Sequence, residues 1–242
     1  MLDSLLLLTG NDIPFYEASI SIHQPRMGEI GLIGESNFHI GSHFLIFSKN
    51  NLSEKDKVSL ENQSDFDIFM SVMNSKEKAK HKTDAMMILA LLFPNAKIKL
   101  EKDKILLQLE NFSSSINAKN FDSFKNIINQ IFCLEALEGE NYNPGDALAA
   151  RIAEKIKKGK QKKHQDKSEN IDKIDIYSRY MSILSVGLKK DINIYNNYTI
   201  YQLRYEFKRF ILKQNFDVYM EAKLAGAKDL EEVEDWMGNI HP

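Results

Sequence analysis

His39 and His43 stand four residues apart, so a helix carries both imidazoles on one face, and Glu35, a further four back, extends that face. This spacing is one prerequisite of a metal site. Gly41 between the histidines, and the aromatic residues around them, argue for packing or surface roles instead. Asp65 and Asp67 are two apart and diverge on a helix; their place at a helix start is explained by the macrodipole. Cys133, the one cysteine, lies in an apolar run with no activating neighbour. It reads as a small buried hydrophobe, cannot form an internal disulfide, and fits a reducing cytoplasm. The chain has no Gly-x-x-x-x-Gly-Lys, no Gly-x-Gly-x-x-Gly, no His-Glu-x-x-His and no Cys-x-x-Cys, and no serine sits in a strand-to-helix elbow. The expectation is a protein without catalytic residues, cofactor or metal.

Charge is balanced overall, with 32 basic against 34 acidic residues and a formal net charge of −2, so no global field recruits nucleic acid or membrane. Locally the balance breaks. Arg151 to Lys173 holds nine Lys/Arg against four acids and no large apolar residue between Ile156 and Ile171. Clustered lysines can release phosphate counterions, yet aromatic residues for base stacking are missing, and a solvated helix face running into a linker is the plainer reading. At the other end, Glu231, Glu232, Glu234 and Asp235 precede Trp236, the one tryptophan, which reads as an anchor for the tail or a contact for a partner. The leucines at 5 to 8 are too few to span a bilayer, no other run approaches the required length, and no basic segment of an export signal precedes them. The expected location is the cytoplasm.

The elements that must position these residues follow from periodicity. Ala18, Ile20 and Ile22 alternate with polar residues as a half-buried strand; Pro25 ends it, and Met27 to Ile33 forms a helix that Gly34 weakens or terminates. Ser53 and Ser64 open helices, the second with Phe66, Phe69, Met70 and Met73 on its apolar face; Lys76 to Lys82 reads as a solvated loop, and Thr83 as the cap of an apolar helix from Ala85 to Phe93. Ala96 to Leu100 and Ile105 to Leu109 read as a hairpin, and Asn120 opens a helix ending near Leu134 to Leu137. Gly139 to Gly145 breaks the chain, and Asp146 caps a thinly apolar helix after it. Beyond the linker, Ile174, Tyr177, Met181, Leu184 and Leu188 make one helical stripe, and Ile200, Leu203, Phe207, Phe210 and Ile211 a second, with Asn197 or Tyr198 at the cap position. The reading is mainly α with a small β component, an N-terminal strand and a hairpin near 96–109, in two helical lobes joined by a charged linker. Its parts are an α+β domain over 1–138, a basic helix and flexible linker over 139–173, and a helical domain over 174–242.

The C-terminal hairpin carries more apolar and aromatic surface than two helices can hide from water by themselves, so it calls for a partner surface. The residues expected to meet a partner are Tyr201, Tyr205, Phe207, Phe210, Phe216 and Trp236.

Several strings are distinctive: SIHQPRMGEIGLIGE, SDFDIFMSVMN, YNPGDALAARIAEKIKKG, SRYMSILSVGLKKD, YTIYQLRYEFKRF and AKLAGAKDLEEVEDWMGNIHP. Through these the chain resembles tail assembly chaperones of bacteriophages and prophages of Gram-positive bacteria, most strongly from Tyr142 onward. The resemblance implies a non-enzymatic protein that binds the tape-measure protein in the host cytoplasm, keeps its apolar helices in solution and leaves as tail tube protein polymerises. Homo-oligomers are compatible with it. It assigns no catalytic residue. Two other functions fit the residues: a nucleic-acid-binding module using the 151–173 segment, and a structural tail or baseplate component. If lysines 155 to 167 bind nucleic acid, a gel shift of DNA or RNA should weaken with salt and disappear when they are replaced by glutamine; a shift indifferent to both would remove that reading.

Overall fold

The computed structural model describes residues 2–49, 62–75, 79–134, 176–227, 232–238 and 240. The helix expected from about Glu54, the basic helix and linker of 139–173, and Ile174 lie outside these residues.

Asp3 caps the first helix, α1 (Ser4–Thr9), by accepting from the Leu5 N–H, and Gly10 closes it in the left-handed region at φ 68°. The leucines at 5 to 8 thus form a helix. Strand β1 (Ile13–Phe15) turns through a 3-10 segment (Tyr16–Ala18) into β2 (Ile20–Ile22), antiparallel, with Ile13 opposite Ile22 and Phe15 opposite Ile20. The expected N-terminal strand is therefore half of a hairpin whose alternate residues are buried. Helix α2 (Met27–Ile33) ends at Gly34, whose φ of 83° is readily available only to glycine, and α3 (Glu35–Leu45) starts at once at a new angle. Phe38, Phe44 and both histidines lie in this third helix.

Ser64 caps α4 (Asp65–Asn74) through a capping box in which Asp67 replaces the usual glutamate. Helix α5 (Ala79–Leu92) begins earlier than the apolar pattern suggests. Thr83 lies inside it and is no cap, and Lys80 and Lys82 are helical, because a polar first turn is stable once the turns after it are packed. Ala85, Ile88, Leu89 and Leu92 are wholly buried, and α5 crosses α3 so closely that a Cβ at Gly41 would lie 2.7 Å from the Asp84 carbonyl and from Ile88. Strands β3 (Lys97–Leu100) and β4 (Lys104–Gln108) form the expected hairpin, and β5 (Ser113–Asn117) adds a third antiparallel strand in the order β3-β4-β5. Its serine-rich sequence hides it from propensity; pairing and the burial of Ile116 make it a strand.

Helix α6 (Phe121–Phe132), α7 (Ile176–Leu188), a 3-10 segment (Ile192–Asn197) and α8 (Ile200–Leu224) complete the order. The cap of α8 is Thr199 itself, one or two residues after the expected Asn197 or Tyr198. One apolar core runs through both stretches that the sequence divides into lobes: Tyr177, Leu184, Tyr195, Ile200, Tyr201 and Leu203 belong to the same buried cluster as Ile13, Ile30, Phe38 and Phe132. Aromatic rings meet edge-on across it, Phe38 with Phe132 at 4.8 Å and Phe66 with Phe121 at 5.1 Å, each pair adding about 1 kcal/mol beyond burial.

Asp65 ties α4 to α6. Its carboxylate accepts from the Lys125 ammonium and, at 3.0 Å, from the Lys49 N–H, and the Asp65 and Lys125 side chains are only 13% and 11% exposed. Burial by itself would raise the Asp65 pKa; the bonds from Lys125 and Lys49 outweigh it and hold the group below its ordinary 3.8. A depressed carboxylate contributes stability that is present above 3.8 and lost as pH falls through the folded value. The Asp65→Asn variant should lose about 2 kcal/mol at neutral pH in urea denaturation, and its deficit should shrink steadily below pH 3.8; a deficit independent of pH would contradict the charged contact.

Candidate partner-binding surface

The residues from Ile176 onward build a layered unit on the N-terminal core. Thr199 accepts from the Gln202 N–H, and the Gln202 side chain reaches back to the Thr199 N–H at 2.8 Å, a capping box at the head of α8. The same Gln202 amide donates to the Leu8 carbonyl at 2.7 Å, so the cap also grips α1. Arg204 donates to the carbonyl of Cys133 at the end of α6. Cys133 sits there at φ 49°, and burial pushes its thiol up to about 11, leaving a neutral, poorly nucleophilic group.

Helix α7 packs on α8 through rings and a missing side chain. Tyr180 stacks on Phe207 with centroids 3.9 Å apart and planes at 13°, and Phe210 fills the space over Gly187, where a Cβ would come within 2.3 Å of the ring. The turn between the helices is held by polar contacts: Ser185 donates to the Lys190 carbonyl at 2.7 Å, and the Lys190 ammonium bonds Glu206 at 2.6 Å. Burial, and then the Glu206 carboxylate, push the Tyr195 and Tyr198 phenols up, so both stay neutral. Farther along α8, Arg209 donates to the carbonyls of Trp236 and Gly238 and to the Tyr205 hydroxyl, and Lys213 lies 5.5 Å over the Trp236 ring. With Ile240 buried, the tail is fastened to the helix.

The six expected contact residues therefore divide. Tyr201 is buried; Phe207 and Phe210 are spent on α7; Tyr205 and Trp236 are half-buried partners of Arg209 and Lys213; Phe216 is half-buried on the distal half of α8. Other apolar side chains of these elements are exposed. Ile200, Leu203, Phe207 and Ile211 recur at steps of three and four, and Val218 stands one heptad beyond Ile211. This stripe is buried at its start and bare at its end, with Ile211 38% and Val218 64% exposed. Met220 and Leu224 add a second exposed pair, Leu224 at 84%, and Ile183, Val186, Leu188, Ile192, Ile194 and Met237 are exposed nearby in sequence. Val218 and Leu224 were accessible to periodicity alone; Gly187 and Arg209 were not, since their roles depend on which helix crosses which.

The histidine face is realised differently from a ligand set. His39 and His43 stack at 6.4 Å, His39 also stacks on Tyr177, and Glu35 accepts the Tyr177 N–H at 2.8 Å, joining α3 to α7. Among the described residues no group of three or more His, Cys, Asp or Glu is placed to hold a metal ion, and no helix is long and apolar enough to cross a membrane.

Residues 177–241, which span α7, α8 and the tail, match the family model of the YomV second domain. No curated protein and no solved structure matches the chain.

A methyl group at Gly187 must displace the Phe210 ring. Gly187→Ala should destabilise by about 1–3 kcal/mol in denaturant melts, and pairing it with Phe210→Leu should recover part of the loss; an additive double variant would contradict the contact.

Proposed function

We propose that this chain is a non-enzymatic phage tail assembly chaperone whose C-terminal helices bind apolar helices of the tape-measure protein in the host cytoplasm and release them as tail tube protein assembles. The observation that carries the reading is the stripe of α8 that leaves the core and continues, bare, through Ile211 and Val218. An amphipathic helix with an unoccupied apolar face is half of a helix-in-groove contact, and its other half is a partner helix with matching apolar spacing. The match of the C-terminal part to a phage-associated domain family is compatible with a phage protein. The work asked of such a molecule is association by area burial, with affinity set by a few well-packed anchors.

Co-expression with the tape-measure protein should give a soluble complex that co-purifies. Ile211→Ser with Val218→Ser, the two exposed members of the stripe, should leave the melting temperature within a few degrees and lower the complex yield by about tenfold. Failure of the unaltered chain to co-purify across several tape-measure fragments would refute the proposal.

A further inference from the structure

A groove of about 430 Å³ lies far from that surface in sequence, between the first hairpin and the three-stranded sheet; Ser21, Pro94 and Leu107 are among the residues that line it. Among the described residues strand β2 pairs on one side only, with β1. Its other edge is located by a neighbouring bond: the His23 N–H turns away from β1 to the Leu92 carbonyl at 2.9 Å. Main-chain groups two residues apart on a strand face the same edge, so the Ser21 N–H and C=O also point away from β1. Pairing agrees, because Ser21 stands opposite Pro14, which has no N–H to share. Among the described residues no main-chain acceptor beyond that ladder takes the Ser21 N–H. Two aromatic rings line the same groove and remain open to solvent, Tyr16 at 85% and Phe112 at 48% exposure. Asp12, 56% exposed with one oxygen held by His23 at 2.9 Å, adds a negative charge.

A strand edge left open at Ser21, aromatic side chains beside it and a carboxylate in the lining specify one kind of occupant. We infer that this groove takes an extended segment of a partner polypeptide as an added strand, pairing with Ser21, setting an apolar side chain against Tyr16 and Phe112 and a lysine or arginine near Asp12. Main-chain bonding supplies part of the affinity and the rings select the side chain. The site is independent of the bare stripe on α8, so either can exist without the other.

The full chain should be titrated into a fluorescein-labelled peptide of alternating valine and threonine around a central phenylalanine, flanked by lysines, and followed by anisotropy. Saturable binding is expected, weakened about tenfold by Tyr16→Ala, by Phe112→Ala and by N-methylation of alternate peptide amides. Asp12→Asn should weaken it less and flatten its salt dependence, and Val218→Ser should leave it unchanged. Tyr16, Phe112 and Asp12 are exposed, so these variants test binding rather than folding. Absence of saturable binding would overturn the inference, as would binding indifferent to N-methylation or to both aromatic replacements.

Discussion

The head of α8 is fixed by main-chain and side-chain hydrogen bonds to the N-terminal elements of the chain, and this constraint places everything after it. The Met27 N–H bonds the Tyr198 carbonyl at 2.8 Å, Arg26 and Thr199 form an isolated antiparallel bridge, and Gln202 holds the Leu8 carbonyl. Thr199 is 1% exposed, so its capping bonds form out of reach of water, where an unmade bond is expensive. Gly10 makes room: a Cβ there would stand 3.1 Å from the Gln202 amide, and its φ of 68° suits glycine in any case. With its first turn anchored in this way, α8 has Ile200, Tyr201 and Leu203 buried in the core, while its later turns leave Val218 and Leu224 exposed.

The same helix thus has two economies. Its first half is stabilised by burial, stacking and the Lys190–Glu206 contact. The second half draws on fewer contacts: Lys213 pairs with Asp217 at 2.6 Å and lies 5.5 Å over the Trp236 ring of the tail. A helix continued past its core keeps its hydrogen bonds but leaves apolar side chains in water, a standing cost that association with a second apolar surface removes. Fold and proposed activity are connected through this continuation: rigidity at the anchored end presents the bare end in a defined direction, which lowers the ordering cost of binding.

Much of the fold was legible in the residues because burial follows period. The stripes of α4, α6 and α8 and the 97–108 hairpin follow directly from spacing, and Ser64 marks a true cap. Elements whose stability is tertiary were hidden. Strand β5 is a run of serines paired with β4; α5 extends over a charged turn past Thr83; and the Phe38 helix carries a glycine at its tightest contact. The candidate surface was half legible. Aromatic density drew attention to Phe207 and Phe210, yet density marks internal packing as readily as contact, and only the crossing of α7 over α8 separates the two.

Hydrogen–deuterium exchange of the chain with and without a tape-measure fragment tests the central claim most directly. Added protection should concentrate in residues 211–224, with the capped first turn of α8 already protected and unchanged. Uniform exchange across 211–224 in the presence of a bound fragment, or protection confined to the N-terminal helices, would contradict it.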